Sequence, residues 1–169
     1  MPVTRNPQDQ PPFVRPVAPA RRPLPERCTV EDLIGIPFER GGRDLTGIDC
    51  LGLWLAFQNR VLGKCMADPW DEQLAKMHAG GWRRFTELVP AGWVELPLDL
   101  HELRTGDTLM TARRRGRKIA EHLAPLVEPG RVLTTAERLP LSREPGVSYL
   151  QTVRGLEQAG VILSAWRHR

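Results

Sequence analysis

The sequence has few cysteines and no long hydrophobic run. Only three cysteines occur in 169 residues, at Cys28, Cys50 and Cys65, and their spacing is not that of a metal site. Because the number is odd, at least one thiol stays unpaired. No apolar stretch approaches the length of a membrane span, and the N-terminus lacks the apolar core of a signal peptide. We therefore expect no metal, no cofactor and no membrane anchor.

The rest of the composition is that of one globular domain. Hydrophobic residues make up 41% of the chain and charged residues 26%, which are the proportions of a soluble protein with a core of useful size. The net charge of +4 permits an anionic partner but does not require one.

Residues 1–27 form a segment of a different kind. They hold eight of the 16 prolines and five arginines, opposed only by Asp9 and Glu26. Proline fixes φ and removes a backbone donor, so this segment cannot form a helix or a central strand. We predict an extended arm over residues 1–27 and one domain over residues 28–169. The arm is either a disordered tail or a segment that becomes ordered against a neighbouring subunit.

A glycine-rich loop runs directly into an apolar stretch at Cys50. Asp49 is a favoured N-cap, which places Cys50 at the first position of a helix. The residues from Leu51 to Leu62 are mostly apolar, so the helix is expected to be buried, and Gly63 supplies a stop. The positive end of a helix favours a thiolate, and we expect it to lower the pKa of the Cys50 thiol.

A lone cysteine beside apolar residues is most often a small buried hydrophobe. The surroundings of Cys50 favour a nucleophile instead. Ordinary packing does not require the adjacent Gly41 and Gly42, a third glycine at Gly47, an N-cap acid and a small residue at Gly52.

These residues carry a resemblance to a known family. The segments Gly35–Phe38, Gly41–Gly42 and Gly47–Leu53 resemble the nucleophile motif of the NlpC-type cell-wall cysteine peptidases. The segment Asn59–Gly63 resembles most the branch found in bacteriophage tails. The resemblance covers residues 33–63 and, less closely, residues 103–135. It implies a papain-like α+β fold in which a small antiparallel sheet packs on the buried nucleophile helix.

A cysteine nucleophile needs an imidazole that takes up its proton and later returns it. Among the four histidines, His122 matches the histidine of the family, on the strand after the Gly106–Asp107 turn. Strand alternation groups His122 with Ala124, and we expect the helix end with Cys50 to approach this face. The alternative is an exposed histidine on an edge strand.

Two positions depart from the family pattern. The residue that orients the imidazole is commonly His, Asn or an acid, and here Thr134 stands in its place, with Thr135 and Glu137 as alternatives. The aromatic hydroxyl near the nucleophile is missing, because Phe38 replaces tyrosine. We assign Cys50, His122 and Thr134 to catalysis. The resemblance implies substrate binding around three residues of the loop, which are Phe38, Gly42 and Asp49.

The remaining segments predict short helices and strands. Helices are expected to open at Thr29–Asp32 and to cover residues 70–80, residues 82–88 and Ser148–Ala159. Strands are expected at Trp93–Leu96, around Leu103–Met110, and at Ile119–Val127, Val132–Thr134 and Val161–Trp166. A basic hairpin loop is expected at Arg113–Lys118, either as a solvated turn or as a contact to an anionic polymer.

Taken together with these residues, the resemblance implies a phage tail-tip peptidase that hydrolyses an amide bond in the peptide stems of peptidoglycan. Its partners would be peptidoglycan and the tail hub and tail-tip proteins, and it would act from the virion in the host cell wall or periplasm. One alternative is a structural protein of the tail tip that keeps the papain-like shape without catalysis. Another is a nucleic-acid-binding module that uses the basic arm, although no motif for reading nucleic acid is present.

Overall fold

The computed structural model describes residues 20–68, 92–115, 118–137 and 145–169. The helices predicted at residues 70–80 and 82–88 lie outside these ranges. Within them, no helix is long and apolar enough to cross a membrane.

The described chain is an α+β structure built on one antiparallel sheet. The sheet has six strands in the order β3-β8-β4-β5-β6-β7, and a separate two-stranded sheet joins β1 to β2. The strands are β1 (Arg43–Asp44), β2 (Gly47–Ile48), β3 (Trp93–Leu96), β4 (Thr108–Arg115), β5 (Lys118–Glu128), β6 (Arg131–Thr135), β7 (Ser148–Thr152) and β8 (Val161–His168). The helices are a 3-10 turn (Glu31–Leu33), α1 (Cys50–Ala56), which continues as a π-helical turn (Phe57–Val61), and α2 (Val153–Ala159).

Helix α1 packs on one face of the sheet. Its residues Leu51, Trp54 and Leu55 form a buried cluster with Met110 of β4 and Leu123 of β5. The indole Nε1 of Trp54 donates a buried hydrogen bond of 2.7 Å to the Thr108 hydroxyl, which fixes the helix against β4. A buried apolar helix is held by such tertiary contacts more than by its own propensity, so the sheet sets its position.

Helix α2 covers the opposite face. Its residues Val153 and Leu156 pack with Leu109, Ala124 and other buried residues of the sheet. The sheet therefore separates the two helices, and α1 with Cys50 at its first position lies on the face that carries Leu123. The α+β class and the buried helix that starts at Cys50 and packs on an antiparallel sheet agree with the prediction from the sequence.

Strands β5 and β6 pair over a short length only. Their paired residues are Leu126 with Val132 and Glu128 with Arg131, with a register shift between the two pairs. Towards Leu123 no further β5–β6 backbone pair is present in the described residues.

Most predicted strands are confirmed, and one helix prediction is wrong. The strands at Trp93–Leu96, in β5, in β6 and in β8 are present. The segment predicted as one helix from Ser148 to Ala159 divides at Thr152 into β7 and α2. The first half becomes a strand because Ser148–Thr152 pairs residue by residue with β6, and α2 starts where the Thr152 hydroxyl accepts from the Gly155 amide.

Residues 20–27, the last part of the predicted arm, lie against the domain. The Arg21 guanidinium pairs with Asp44 at 3.2 Å, and the Arg22 carbonyl accepts a hydrogen bond from the Leu45 amide. Leu24 packs on the cluster that contains Leu53. This part of the segment lies on the surface of the domain, and its Leu24 side chain packs against the hydrophobic core.

Candidate active site

The loop before α1 is held by the carboxylate of Asp49. The N-cap oxygen Oδ1 accepts from the Gly52 amide at 2.8 Å and from Arg43 Nη1 at 2.6 Å. The other oxygen, Oδ2, accepts from the Gly41 amide at 2.8 Å. Charge-assisted bonds of this kind are the strong ones, so this carboxylate fixes both the loop and the first turn of the helix.

Glycine is required where the loop crosses the start of the helix. A Cβ at Gly52 would lie 2.3 Å from the Gly42 carbonyl oxygen, and a Cβ at Gly42 would lie 2.4 Å from the Gly47 carbonyl oxygen. Both distances are shorter than any allowed contact with backbone. The glycines noted in the sequence thus allow the loop to pack directly on the helix that carries Cys50.

The thiol of Cys50 lies against two backbone amides, that of Leu51 and that of Leu123 on β5. The Cys50 amide donates no hydrogen bond within the described residues. It is therefore available to an oxygen that develops charge beside the sulfur.

Burial raises the pKa of the Cys50 thiol to about 11, and the neighbouring Asp49 carboxylate acts in the same direction. The two amides and Arg43 oppose this shift but are the smaller effects. The expectation of a lowered thiol pKa at the helix terminus is therefore wrong for the free protein. Removing the sulfur from water outweighs the partial charge of the helix end.

The imidazole of His122 is bonded to Thr134. The distance from His122 Nε2 on β5 to the Thr134 hydroxyl on β6 is 2.6 Å. Thr134 is only 2% exposed, so the contact is sheltered from water. Burial lowers the pKa of His122 to about 4, which leaves the ring neutral at neutral pH. In the tautomer in which Nε2–H donates to the Thr134 hydroxyl, Nδ1 is the nitrogen that can accept a proton.

The structure joins His122 to Thr134 and places the Cys50 sulfur at the backbone of the residue that follows His122. Leu123 packs with α1, whereas Ala124 packs on the other face with α2. The body of α1 thus packs on the face of β5 that carries Leu123, and not on the face of Ala124 towards which the end of the helix was expected. Cys50 instead reaches β5 at the backbone of Leu123, the residue after His122. Within the described residues no hydrogen bond joins the thiol to the ring.

The three residues assigned to substrate binding lie in the same loop with different surroundings. Phe38 is half-buried, and its amide donates a hydrogen bond of 2.8 Å to the Gly146 carbonyl. Phe38 also forms an isolated β-bridge with Ile48. Gly42 is buried where the loop crosses the start of α1. The Asp49 carboxylate is engaged inside the protein by the three bonds described above.

Sequence reasoning missed the groups that act through tertiary contacts. Arg43 binds Asp49 and, through Nε at 2.7 Å, Asp68. The Leu123 amide at the sulfur is a backbone group that leaves no signal in the sequence. No cluster of possible metal ligands is found among the described residues.

Together these features define an α+β protein in which a cysteine at a helix start contacts the β5 backbone and a neighbouring histidine is bonded to a threonine of β6. Neither the protein-family models nor the curated proteins give a match to this chain. Among solved structures it is similar to the crystal structure of the NlpC/p60 domain of peptidoglycan hydrolase SagA. The two share 20% sequence identity with a TM-score of 0.45, over 80% of this chain and 90% of that chain.

Proposed function

We propose that this chain is a cysteine peptidase with Cys50 as nucleophile, His122 as general base and acid, and Thr134 as the residue that orients the imidazole. The observation that carries the proposal is the junction between α1 and β5. There the Cys50 sulfur contacts the amide of the residue after His122, and His122 Nε2 is bonded to Thr134 at 2.6 Å.

We assign a role in the reaction to each of these groups. In the free protein the thiol and the imidazole are both neutral, because burial opposes charge on each. As the sulfur attacks an amide carbon, the S–C bond forms and His122 Nδ1 takes the thiol proton. The oxyanion that results is stabilised by the Cys50 amide at the helix terminus. His122 then gives the proton to the leaving amine as the C–N bond breaks, and water hydrolyses the thioester.

Thr134 fixes the tautomer in this scheme. When the Thr134 hydroxyl accepts from Nε2–H, Nδ1 carries the lone pair that a base requires. A hydroxyl has no charge, so it stabilises the imidazolium less than a carboxylate would.

The substrate we propose is an amide in the peptide stems of peptidoglycan. Support comes from the motif Gly47–Leu53 and its resemblance to the NlpC-type peptidases. We further propose that the protein belongs to a phage tail tip and reaches the cell wall with the particle, as the resemblance of Asn59–Gly63 to the tail branch suggests.

Release of new amino groups from purified peptidoglycan tests this function. Wild-type protein should release them, while Cys50→Ala and His122→Gln should reduce the rate to background. Cys65→Ala is the matched control, because Cys65 is an exposed thiol away from the junction, and it should keep the wild-type rate. Release that continues in Cys50→Ala, or no release by the wild type, would exclude the peptidase.

A structural protein that has lost catalysis is the second candidate, and two observations favour it. The raised pKa of Cys50 and the lowered pKa of His122 both disfavour an ion pair in the resting site. Phe38 also supplies no hydroxyl to the nucleophile loop. The same amine-release assay separates the two candidates, since the structural protein would release nothing.

A further inference from the structure

The guanidinium of Arg43 lies against the first turn of the helix that carries Cys50. Its Nη1 donates to Asp49 Oδ1 at 2.6 Å and to the Gly42 carbonyl at 2.7 Å. A Cβ at Gly52 would lie 2.9 Å from the same nitrogen, so the missing side chain lets the guanidinium contact the helix directly. Arg43 belongs to β1, yet its charge lies within one helical turn of the candidate nucleophile.

A second carboxylate fixes the guanidinium from the segment after the helix. Arg43 Nε donates to Asp68 Oδ2 at 2.7 Å. The Arg43 and Asp49 side chains are only 23% and 10% exposed, whereas Asp68 is 39% exposed. Partly buried charges are screened less by water and salt than exposed ones. The charge of Arg43 therefore acts most strongly on Asp49.

Asp49 has two opposed effects on Cys50. Its carboxylate caps the helix at the Gly52 amide and holds the loop through the Gly41 amide. The same negative charge raises the pKa of the neighbouring thiol, in the direction in which burial already acts. The group that holds the nucleophile loop in place thus opposes a negative charge on the sulfur.

Arg43 counteracts the second of these effects. It lowers the pKa of the Cys50 thiol, as do the amides of Leu51 and Leu123. His122 on β5 carries no charge in the resting site at neutral pH, because burial lowers its pKa to about 4. Within the described residues, the charged side chains that act on the sulfur are therefore the paired carboxylate and guanidinium.

We propose that Arg43 is a positioning residue that neutralises the Asp49 carboxylate, so that this carboxylate holds the nucleophile loop without opposing negative charge on the Cys50 sulfur. The inference rests on the proposed function, because it takes Cys50 to be a nucleophile that loses its proton during attack.

The test is the rate at which iodoacetamide alkylates Cys50 at a fixed pH, followed by peptide mass spectrometry. Cys50 is partly exposed, so the small reagent can reach the thiol. The thiolate is the form that reacts, so the rate reports how readily the sulfur becomes charged. Arg43→Gln should slow the alkylation about fivefold, and Arg43→Lys, which keeps the charge, should stay close to the wild-type rate. A purely structural loss would loosen the loop, expose the sulfur and speed the reaction.

Asp49 provides a second comparison with the opposite expected sign. Asparagine is also a favoured N-cap, so Asp49→Asn removes the charge and keeps a cap at the helix start. This variant should be alkylated about fivefold faster than the wild type. Arg43→Gln combined with Asp49→Asn removes both charges and should return the rate to about the wild-type value. Asp49→Asn also tests the inference if Arg43→Gln alone fails to fold.

Arg21→Gln is the matched control. Arg21 also pairs with a carboxylate of β1, at 3.2 Å, but its partner is Asp44 and not the N-cap of α1. Its loss should leave the alkylation rate of Cys50 unchanged. An equal or faster rate in Arg43→Gln, an equal loss of rate in Arg43→Lys, or a rate in Asp49→Asn that does not rise would overturn the inference.

The outcome is separable from that of the proposed function. Alkylation is measured without substrate, whereas amine release requires hydrolysis of peptidoglycan. An alkylation rate that depends on Arg43 in a chain that releases no amines would refute the peptidase and keep the role of Arg43. Amine release with an alkylation rate that does not depend on Arg43 would refute this role alone.

Discussion

Two adjacent threonines of β6 are in opposite situations. The Thr134 hydroxyl is bonded to His122, while the Thr135 hydroxyl is buried with no partner among the described residues. We expect Thr134→Val to lower turnover about fivefold, because one hydrogen bond of about 1 kcal/mol is lost. Thr135→Val should leave turnover unchanged, since it removes a hydroxyl that makes no bond. Steady-state rates on a stem peptide measure both.

The reverse order of effects would contradict the assignment. If Thr135→Val lowered turnover and Thr134→Val did not, the orienting role would pass to Thr135. A Thr134→Asn variant is a second test of the assignment. Its amide oxygen can still accept a hydrogen bond from Nε2–H, so turnover should stay near or above the wild-type rate.

The lowered pKa of His122 makes stability depend on pH. The ring has an ordinary pKa of 6.5 and a folded value of about 4, so between these values the unfolded chain binds more protons than the folded protein. The contribution of a neutral His122 is therefore complete above pH 6.5 and is lost as the pH falls towards 4. The slope from this group should approach about 1.4 kcal/mol per pH unit.

Urea denaturation at several pH values measures this slope. His122→Gln should flatten it, and His101→Gln should not, because His101 is an exposed histidine in a turn. Equal slopes in the wild type and in His122→Gln would show that the ring is not buried in the neutral form.

At the scale of elements, the N-cap residues of α1 and α2 differ in the number of groups that they bind. Asp49 anchors the Gly41 amide, the Gly52 amide and Arg43, whereas Thr152 caps α2 through the Gly155 amide in an exposed position. We expect Asp49→Ala to lower the free energy of unfolding by about 3 kcal/mol. Thr152→Ala should lower it by about 1 kcal/mol.

Chemical denaturation gives both values on the same protein. Comparable losses in the two variants would mean that the Asp49 carboxylate acts as an ordinary cap and does not hold the nucleophile loop.

Local signals predicted the elements that are determined locally. The start of α1 follows from Asp49 as a cap, and the strands from Ile119 and Val132 follow from alternation and turns. The strand Ser148–Thr152 was missed because its pairing with β6 is not visible in its own residues. For the same reason alternation separated Leu123 from Ala124 but could not show which of the two faces α1 covers. The Leu123 amide and Arg43 also depend on contacts far apart in sequence.

At the scale of the whole molecule, the end of the predicted arm is part of the domain surface. The Arg21 guanidinium, the Arg22 carbonyl and the Leu24 side chain all contact it. We expect deletion of residues 1–25 to lower the free energy of unfolding by about 1–2 kcal/mol, through the lost packing of Leu24 and one backbone hydrogen bond. Peptidase activity should remain. Unchanged stability in urea denaturation would show that these contacts carry no net free energy.

A separate prediction concerns the role of residues 1–25 in the assembly of the tail particle. An extended proline-rich chain could reach across a neighbouring subunit. We expect the deletion to remove the protein from tail particles, which immunoblotting of purified particles would detect. Normal packaging of the truncated protein would refute this role.

The proposed mechanism requires Cys50 to form a covalent thioester with the substrate. Intact-protein and peptide mass spectrometry of an acid-quenched reaction with a stem peptide tests it most directly. We expect a mass increase equal to the acyl part of the substrate. The added mass should lie on the peptide that contains Cys50 and should be absent in Cys50→Ala. An adduct on Cys28 or Cys65, or hydrolysis in Cys50→Ala at the wild-type rate, would contradict it.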